Sequence, residues 1–229
     1  MKELIFDQTG TPQEVLYLKE SELPQAKAHE VLIRVTARNI NPSDIMFVRG
    51  MYGITPKLPS SAGFEACGVV EKADEAGKVP AGTRVMFTAI GTWKEYVCVP
   101  AALVIPVPAQ MPDQVACQAF VNPMTAYGMI EDSGLEAGQW LLLTAGASAF
   151  GKFAMQMAKA KGIRVASTVR HESQKQLLLD LGAELAFLAF EMATPMRQGV
   201  WCLLPVVLNA VPIHTQCSDH YLRDEASWL

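Results

Sequence analysis

Over the first hundred residues the apolar positions come in short runs separated by turn chemistry. Met1 to Phe6 reads at once as a strand, and Val31 to Val35 carries the alternation of a half-buried one. Ala66 to Glu71, Arg84 to Thr88 and Tyr96 to Val99 are further runs of strand length. Val79-Pro80-Ala81-Gly82-Thr83 separates two of them, and Pro100 stops the last. Prolines at 106, 108 and 112 mark a loop-rich passage. Many short strands with Gly/Pro turns predict a barrel-like β domain.

The pattern then changes period. Asp113 to Ala119 can open a helix, and Pro123 to Ile130 suits another. Trp140 to Thr144 is an apolar run without alternation, as in a strand buried on both faces. Phe153 to Lys161 predicts a helix stopped by Gly162, and Ile163 to Val169 a second buried strand. Glu172 to Leu181 predicts a second helix closed by Gly182, and Leu185 to Phe190 a third strand. This order opens a parallel α/β sheet. The domains expected are a β domain over 1–115, the first half of a nucleotide-binding domain over 116–190, and an atypical tail over 191–229.

The roughly ninety residues after Gly138 suffice for about one half of a doubly wound domain. Beyond Glu184 no second-half pattern is visible, and Pro195, Pro205 and Pro212 fall among scattered Trp201, Cys202, Cys217 and Trp228. A chain altered by a shifted frame or early stop would read this way, and so would a natural, divergent ending. Such a chain is expected to bind nucleotide weakly, to turn over little, and to expose apolar surface.

Composition excludes several classes. Half of the 229 residues are apolar and 18% are charged, as in a globular protein, and the net charge of −4 comes with no basic stripe for nucleic acid. No apolar run reaches membrane-spanning length and no signal peptide is evident, so a cytoplasmic location is expected. The five cysteines (67, 98, 117, 202 and 217) are odd in number and widely spaced, arguing for free thiols.

One turn carries cofactor chemistry. Gly146-Ala147-Ser148-Ala149-Phe150-Gly151 follows the first buried strand and precedes a helix. A dinucleotide turn uses glycines for tightness and for close approach to the pyrophosphate. Here Ser148 stands in place of the middle glycine, with a hydroxyl that can donate to phosphate. The helix that follows adds free amides and its positive end. The second buried strand ends in Arg170, where an NAD-binding fold usually has a carboxylate. A guanidinium suits a 2′-phosphate, which favours NADPH, although an ordinary surface arginine would also sit at a strand end.

Four stretches carry a wider resemblance: Asn39-Ile40-Asn41-Pro42-Ser43-Asp44, Gly50-Met51-Tyr52-Gly53, Gly91-Thr92-Trp93-Lys94-Glu95-Tyr96 and Asn122-Pro123-Met124-Thr125-Ala126-Tyr127. Together they resemble the zinc-independent branch of the medium-chain dehydrogenases/reductases, in particular 2-enoyl thioester reductases and quinone-oxidoreductase-like proteins. The resemblance covers residues 1 to about 184. It implies a GroES-like β domain followed by a Rossmann-type parallel α/β domain, here only partial. It also implies an NADPH-dependent oxidoreductase that reduces an activated double bond, foremost a 2-enoyl thioester. A quinone or alkenal reductase is the alternative on the same scaffold, and a truncated, non-catalytic product or a cofactor-binding regulatory module lies outside it. The family forms homodimers, which the missing second half argues against for this chain.

The resemblance places Tyr52 as the catalytic tyrosine, since a phenol is a neutral proton donor at pH 7. A tyrosine lining the domain edge is the plainer reading. Asn41, Asp44 and Thr125 match the vicinity of nicotinamide and substrate, and Asn122 matches a cofactor contact. Asn-Pro-Ser-Asp and Asn122 also suit plain capping. Zinc-dependent relatives carry Gly-His-Glu where this chain has Gly63-Phe64-Glu65, so no metal is expected. His214, Cys217 and His220 form a metal-like cluster in the tail that reads better as chance.

Overall fold

The computed structural model describes residues 1–189 and 206–208. The chain divides into two units, Met1–Met124 and Thr125–Leu229. In the first, the N-terminal run forms strand β1 (Lys2–Phe6), with Ile5 and Phe6 buried. Helix α1 (Pro12–Val15) starts at a proline, tolerated in a first turn, and leads to β2 (Tyr17–Glu20). The alternation seen at Val31 continues over the whole of β3 (Glu30–Arg38), which buries Val31, Ile33 and Val35 and turns Arg34, Thr36 and Arg38 outward.

Helix α2 (Pro42–Val48) arises from the Asn-Pro-Ser-Asp stretch. Pro42 occupies its first turn and Asn41 its N-cap. After β4 (Ser60–Ser61) comes β5 (Glu65–Lys72), buried from Glu65 to Gly68. Then follow β6 (Arg84–Thr88), β7 (Tyr96–Pro100) and β8 (Val104–Pro106). Strand β8 lies in the proline passage expected to be loop; it adds to the outer side of β6, where the missing N–H of Pro106 is tolerated at an edge.

These strands make two antiparallel sheets, β2-β1-β4 and β7-β3-β5-β6-β8. Val31, Ile33, Val70, Val85, Phe87, Val97 and Val99 fill the core of the larger one. Each such side chain, once buried, contributes about 1.5–3 kcal/mol. A second cluster, Phe6, Phe47, Val48, Ala62 and Trp93, joins α2 to the smaller sheet. Helix α3 (Asp113–Ala116) is shorter than its apolar run suggested, and α4 (Val121–Asp132) begins two residues before Pro123.

In the second unit, β9 (Trp140–Leu143) is buried at Leu141, Leu142 and Leu143. Helix α5 (Ala149–Ala160) begins four residues earlier than Phe153, because Ser148 caps it. Its buried face is Phe150, Ala154, Met155 and Ala158, at helical spacing. Strand β10 (Arg164–Val169), helix α6 (Lys175–Leu181) and strand β11 (Leu185–Leu188) complete the pattern. Gly162 and Gly182 take φ of 72° and 113° as the two helix stops.

A strand not found in the sequence pattern, β12 (Val206–Leu208), pairs in parallel with β9, Val207 opposite Leu142. The sheet order is therefore β11-β10-β9-β12. Strand β12 is one short strand beyond the first-half pattern read from the sequence. Strand order reverses between β9 and β12, the switch point at which ligands bind to doubly wound sheets. Three residues are too few for a periodicity to register. The metal-like cluster His214, Cys217 and His220, and the expected strand end at Phe190, lie outside the described residues.

Candidate functional site

The first unit contains a buried polar cluster built around the N-terminus of α2. Asp44, fully buried, accepts the backbone N–H of Asn41 on Oδ2 at 2.6 Å, the reaching-back half of a capping box. Asn41, also buried, donates from Nδ2 to Oε1 of Glu65 at 3.1 Å. Asn39 donates to the same oxygen. Oε2 of Glu65 accepts the backbone N–H of Val121 at 2.9 Å. Asn122, in turn, donates from Nδ2 to Oδ1 of Asn41 at 3.2 Å. The indole of Trp93 closes the cluster by donating to the carbonyl of Asn39 at 3.1 Å.

The Asp44 carboxyl is pushed up to about 6, chiefly by burial and also by the nearby Glu65 carboxylate. The N–H groups of Asn41 and Phe64 oppose that shift. Oδ1 of Asp44 and Oδ1 of Asn39 are buried, with no protein hydrogen-bond partner among the described residues.

Beside this cluster lies a cavity of about 280 Å³. Tyr52, Ser43 and Thr88 give it polar atoms, and Ile54, Phe64, Ile90 and Val121 give it apolar walls. The half-buried Tyr52 ring rests on Phe64 with centroids 5.2 Å apart and planes at 38°. Phe64 also meets Phe47 edge-on at 5.2 Å, and Phe47 meets Phe6 at 5.8 Å. A row of four rings thus anchors the tyrosine to the core.

In the second unit, the turn after β9 is closely packed. A Cβ on Gly151 would lie 2.6 Å from the Gly146 carbonyl oxygen, and one on Gly146 would collide with Ser167. Both glycines are needed for that approach. Ser148 is the N-cap of α5, and its Oγ accepts the Gly151 N–H at 3.0 Å. A hydroxyl that accepts still has a proton to donate. Ala147 is half-buried, Ala149 exposed, and Phe150 buried under α5. Arg170 is exposed, immediately beyond the carboxyl end of β10.

Of the residues singled out in the sequence, Asn41, Asp44 and Asn122 fall into one hydrogen-bonded cluster in the first unit, with Tyr52 in the adjoining cavity. Asn122 is the second residue of α4 and not its cap, because the helix starts at Val121. Thr125 is exposed on the same helix, one turn on. Glu65, Ser43, Thr88, Ile90 and Val121 were not singled out as site residues. Glu65 had a signal: a carboxylate opening an apolar run, which needs donors once buried. The cavity walls come from four separate segments, and no local pattern announces them.

Comparisons with known proteins bear on the family and the fold. The family model of the alcohol dehydrogenase GroES-like domain matches residues 27–109. The mitochondrial enoyl-[acyl-carrier-protein] reductase of Rattus norvegicus is 32% identical over 222 residues, covering 92% of this chain and 60% of the relative. This chain thus spans about 60% of the length of that curated relative. Among solved structures, the Thermus thermophilus quinone oxidoreductase, also determined in complex with NADPH, superposes with a TM-score of 0.80. It is 30% identical and covers 93% of this chain and 68% of its own. The Escherichia coli quinone oxidoreductase complexed with NADPH has a TM-score of 0.77 at 27% identity, covering 87% of this chain and 63% of its own.

Proposed function

Because this chain belongs to the zinc-independent medium-chain dehydrogenases/reductases, we propose that it reduces an activated carbon–carbon double bond, foremost a 2-enoyl thioester, with NADPH as the reductant. The observation that carries this reading is Tyr52: a phenol fixed on Phe64 at a small, largely apolar cavity.

The second unit fits the cofactor. The Gly146–Gly151 turn leaves a cradle that side chains would fill, at the carboxyl end of β9 and beside the switch point. Gly146 to Gly151 and the N-terminus of α5 would hold the pyrophosphate, with Ser148 donating its hydroxyl proton. Arg170 would meet the 2′-phosphate as a planar cation. NADPH, when bound, supplies hydride to the β-carbon of the alkene.

The chain's own residues supply the rest. The Tyr52 hydroxyl donates a proton toward the α-carbon or a hydrogen bond to the thioester oxygen, where negative charge develops. Phe64, Ile54 and Ile90 offer apolar surface to the acyl chain beside the alkene. By the resemblance, Asn41, Asp44 and Thr125 would serve the substrate and nicotinamide, and Asn122 the cofactor; Asn41, Asp44 and Asn122 share one hydrogen-bonded cluster. No metal is called on, because Phe64 fills the position of the histidine ligand with a ring packed on Tyr52 and Phe47.

Among the described residues no helix is long and apolar enough to cross a membrane. Cytoplasm is the compartment we propose, in keeping with the free thiols Cys67, Cys98 and Cys117. A quinone as acceptor is the second reading, favoured by the likeness to the Thermus and Escherichia quinone oxidoreductases.

The test is NADPH oxidation by the chain as given, with crotonyl-CoA and with 1,4-benzoquinone as separate acceptors. A higher kcat/KM for crotonyl-CoA is expected. A preference for the quinone would move the assignment to the second reading, and oxidation with neither would sink both.

A further inference from the structure

We propose that Glu65 is the positioning residue of the substrate cavity. Its carboxylate ties three separate segments of the first unit together, and each segment contributes one wall. This inference rests on the reading of the Tyr52 cavity as the substrate site.

The geometry is specific. Oε1 of Glu65 takes the carboxamide N–H groups of Asn39 and Asn41, which flank the entry to α2 and so set Ser43. Oε2 takes the N–H of Val121, the first residue of α4. Phe64 is the neighbour of Glu65 in the chain. Ser43, Phe64 and Val121 all line the cavity with Tyr52. The carbonyl of Glu65 also accepts the Thr92 hydroxyl at 3.2 Å, which fixes its own backbone.

Stability alone is a poor reason for this arrangement. Glu65 is 2% exposed, and the hydrogen-bond donors recorded on its side chain are all neutral. Removing a carboxylate from water costs several kcal/mol, and a well-packed apolar residue often does as well or better. What the carboxylate provides is acceptor capacity: two oxygens without a donor, matched to three donors from two other segments, the stretch before α2 and the start of α4. The positive end of the twelve-residue helix α4 adds to this, since its first N–H points at Oε2. Asn41 passes the constraint on to Asn122.

Glu65→Gln is the test, because it keeps the shape and replaces one acceptor oxygen with an NH2 donor. At least one of the three donors then faces another donor. The backbone amide resonances of Ser43, Phe64 and Val121 should shift together in ¹H–¹⁵N spectra of the whole chain. kcat for crotonyl-CoA should fall about 10–100-fold, the scale of a misplacement near 1 Å, with the NADPH Kd within about twofold. Glu71→Gln, at an exposed glutamate of β5 paired with Arg34, serves as the control and should change neither. Unmoved Ser43 and Val121 amides, or kcat retained in the variant of a chain that turns over crotonyl-CoA, would overturn the role of Glu65. Should the wild-type chain reduce no enoyl thioester, the reductase reading fails while the amide shifts still decide this one. If Glu65→Gln does not fold, Asn39→Ala removes one limb of the network. The same amides should then move by less, and no movement would count against the proposal.

Discussion

The ring of Tyr52 lies on the ring of Phe64, with centroids 5.2 Å apart and planes at 38°. By the family resemblance, Phe64 takes the place of a histidine ligand of zinc-dependent relatives. The position that would hold a metal therefore holds the platform for the proposed proton donor. Phe64→Ala removes the contacts to both Tyr52 and Phe47. A loss of about 2 kcal/mol in urea unfolding is expected, below the range for a fully buried ring since Phe64 is half-buried. Purified wild-type protein should also carry no stoichiometric zinc by elemental analysis. A stable Phe64→Ala variant would deny the platform, and one tightly bound equivalent of zinc would deny the metal-free reading.

Tyr52→Phe keeps the ring on its platform and removes only the hydroxyl. Turnover of the enoyl thioester should fall about 10²–10⁴-fold, the usual contribution of a general acid, with NADPH affinity unchanged. Steady-state rates and a fluorescence titration separate the two effects. Full activity in Tyr52→Phe would take the phenol out of the mechanism.

Arg170 follows β10 as an exposed cation. Arg170→Glu puts a repelling charge at the proposed 2′-phosphate, so the Kd for NADPH should rise more than that for NADH. Titrating both cofactors checks this, and equal losses would mean that Arg170 does not discriminate.

Asp44 predicts a pH dependence of stability. Its folded-state pKa is raised from 3.8 to about 6, chiefly by burial. Below about pH 4 the group is protonated in both states and costs nothing. Between about 4 and 6 only the folded state still holds the proton, so stability falls as pH rises. Above about 6 the full penalty remains, on the order of 3 kcal/mol for a shift of this size. Asp44→Asn abolishes the titration. The stability of the variant relative to wild type should therefore rise by about 2–3 kcal/mol between pH 4 and 7. A difference that stays flat across this window would contradict the burial argument.

Much of this was legible where one element carries its own pattern. β3 and α5 announce themselves because one face of each is apolar at the right period, and Gly162 and Gly182 mark helix ends by their freedom at positive φ. Elements held by tertiary pairing were not legible. β4, β8 and β12 are two or three residues long and exist because a neighbouring strand offers hydrogen bonds. The site divides the same way. Asn41 and Asp44 lie close in the chain and were found, whereas Glu65 matters through partners at 39, 41 and 121. A sequence read in order does not display that convergence.

The proposed reaction delivers hydride to the β-carbon of a 2-enoyl thioester. The most direct measurement is to incubate the whole chain with NADPH deuterated at the transferring C4 position and crotonyl-CoA, and then to locate the label by NMR. Because the position of the label is read and not the rate, a slow chain is tested as well as a fast one. One deuterium on C3 of the butyryl product is the predicted result. Product without deuterium at C3, or no reduced thioester after prolonged incubation, would rule that reaction out.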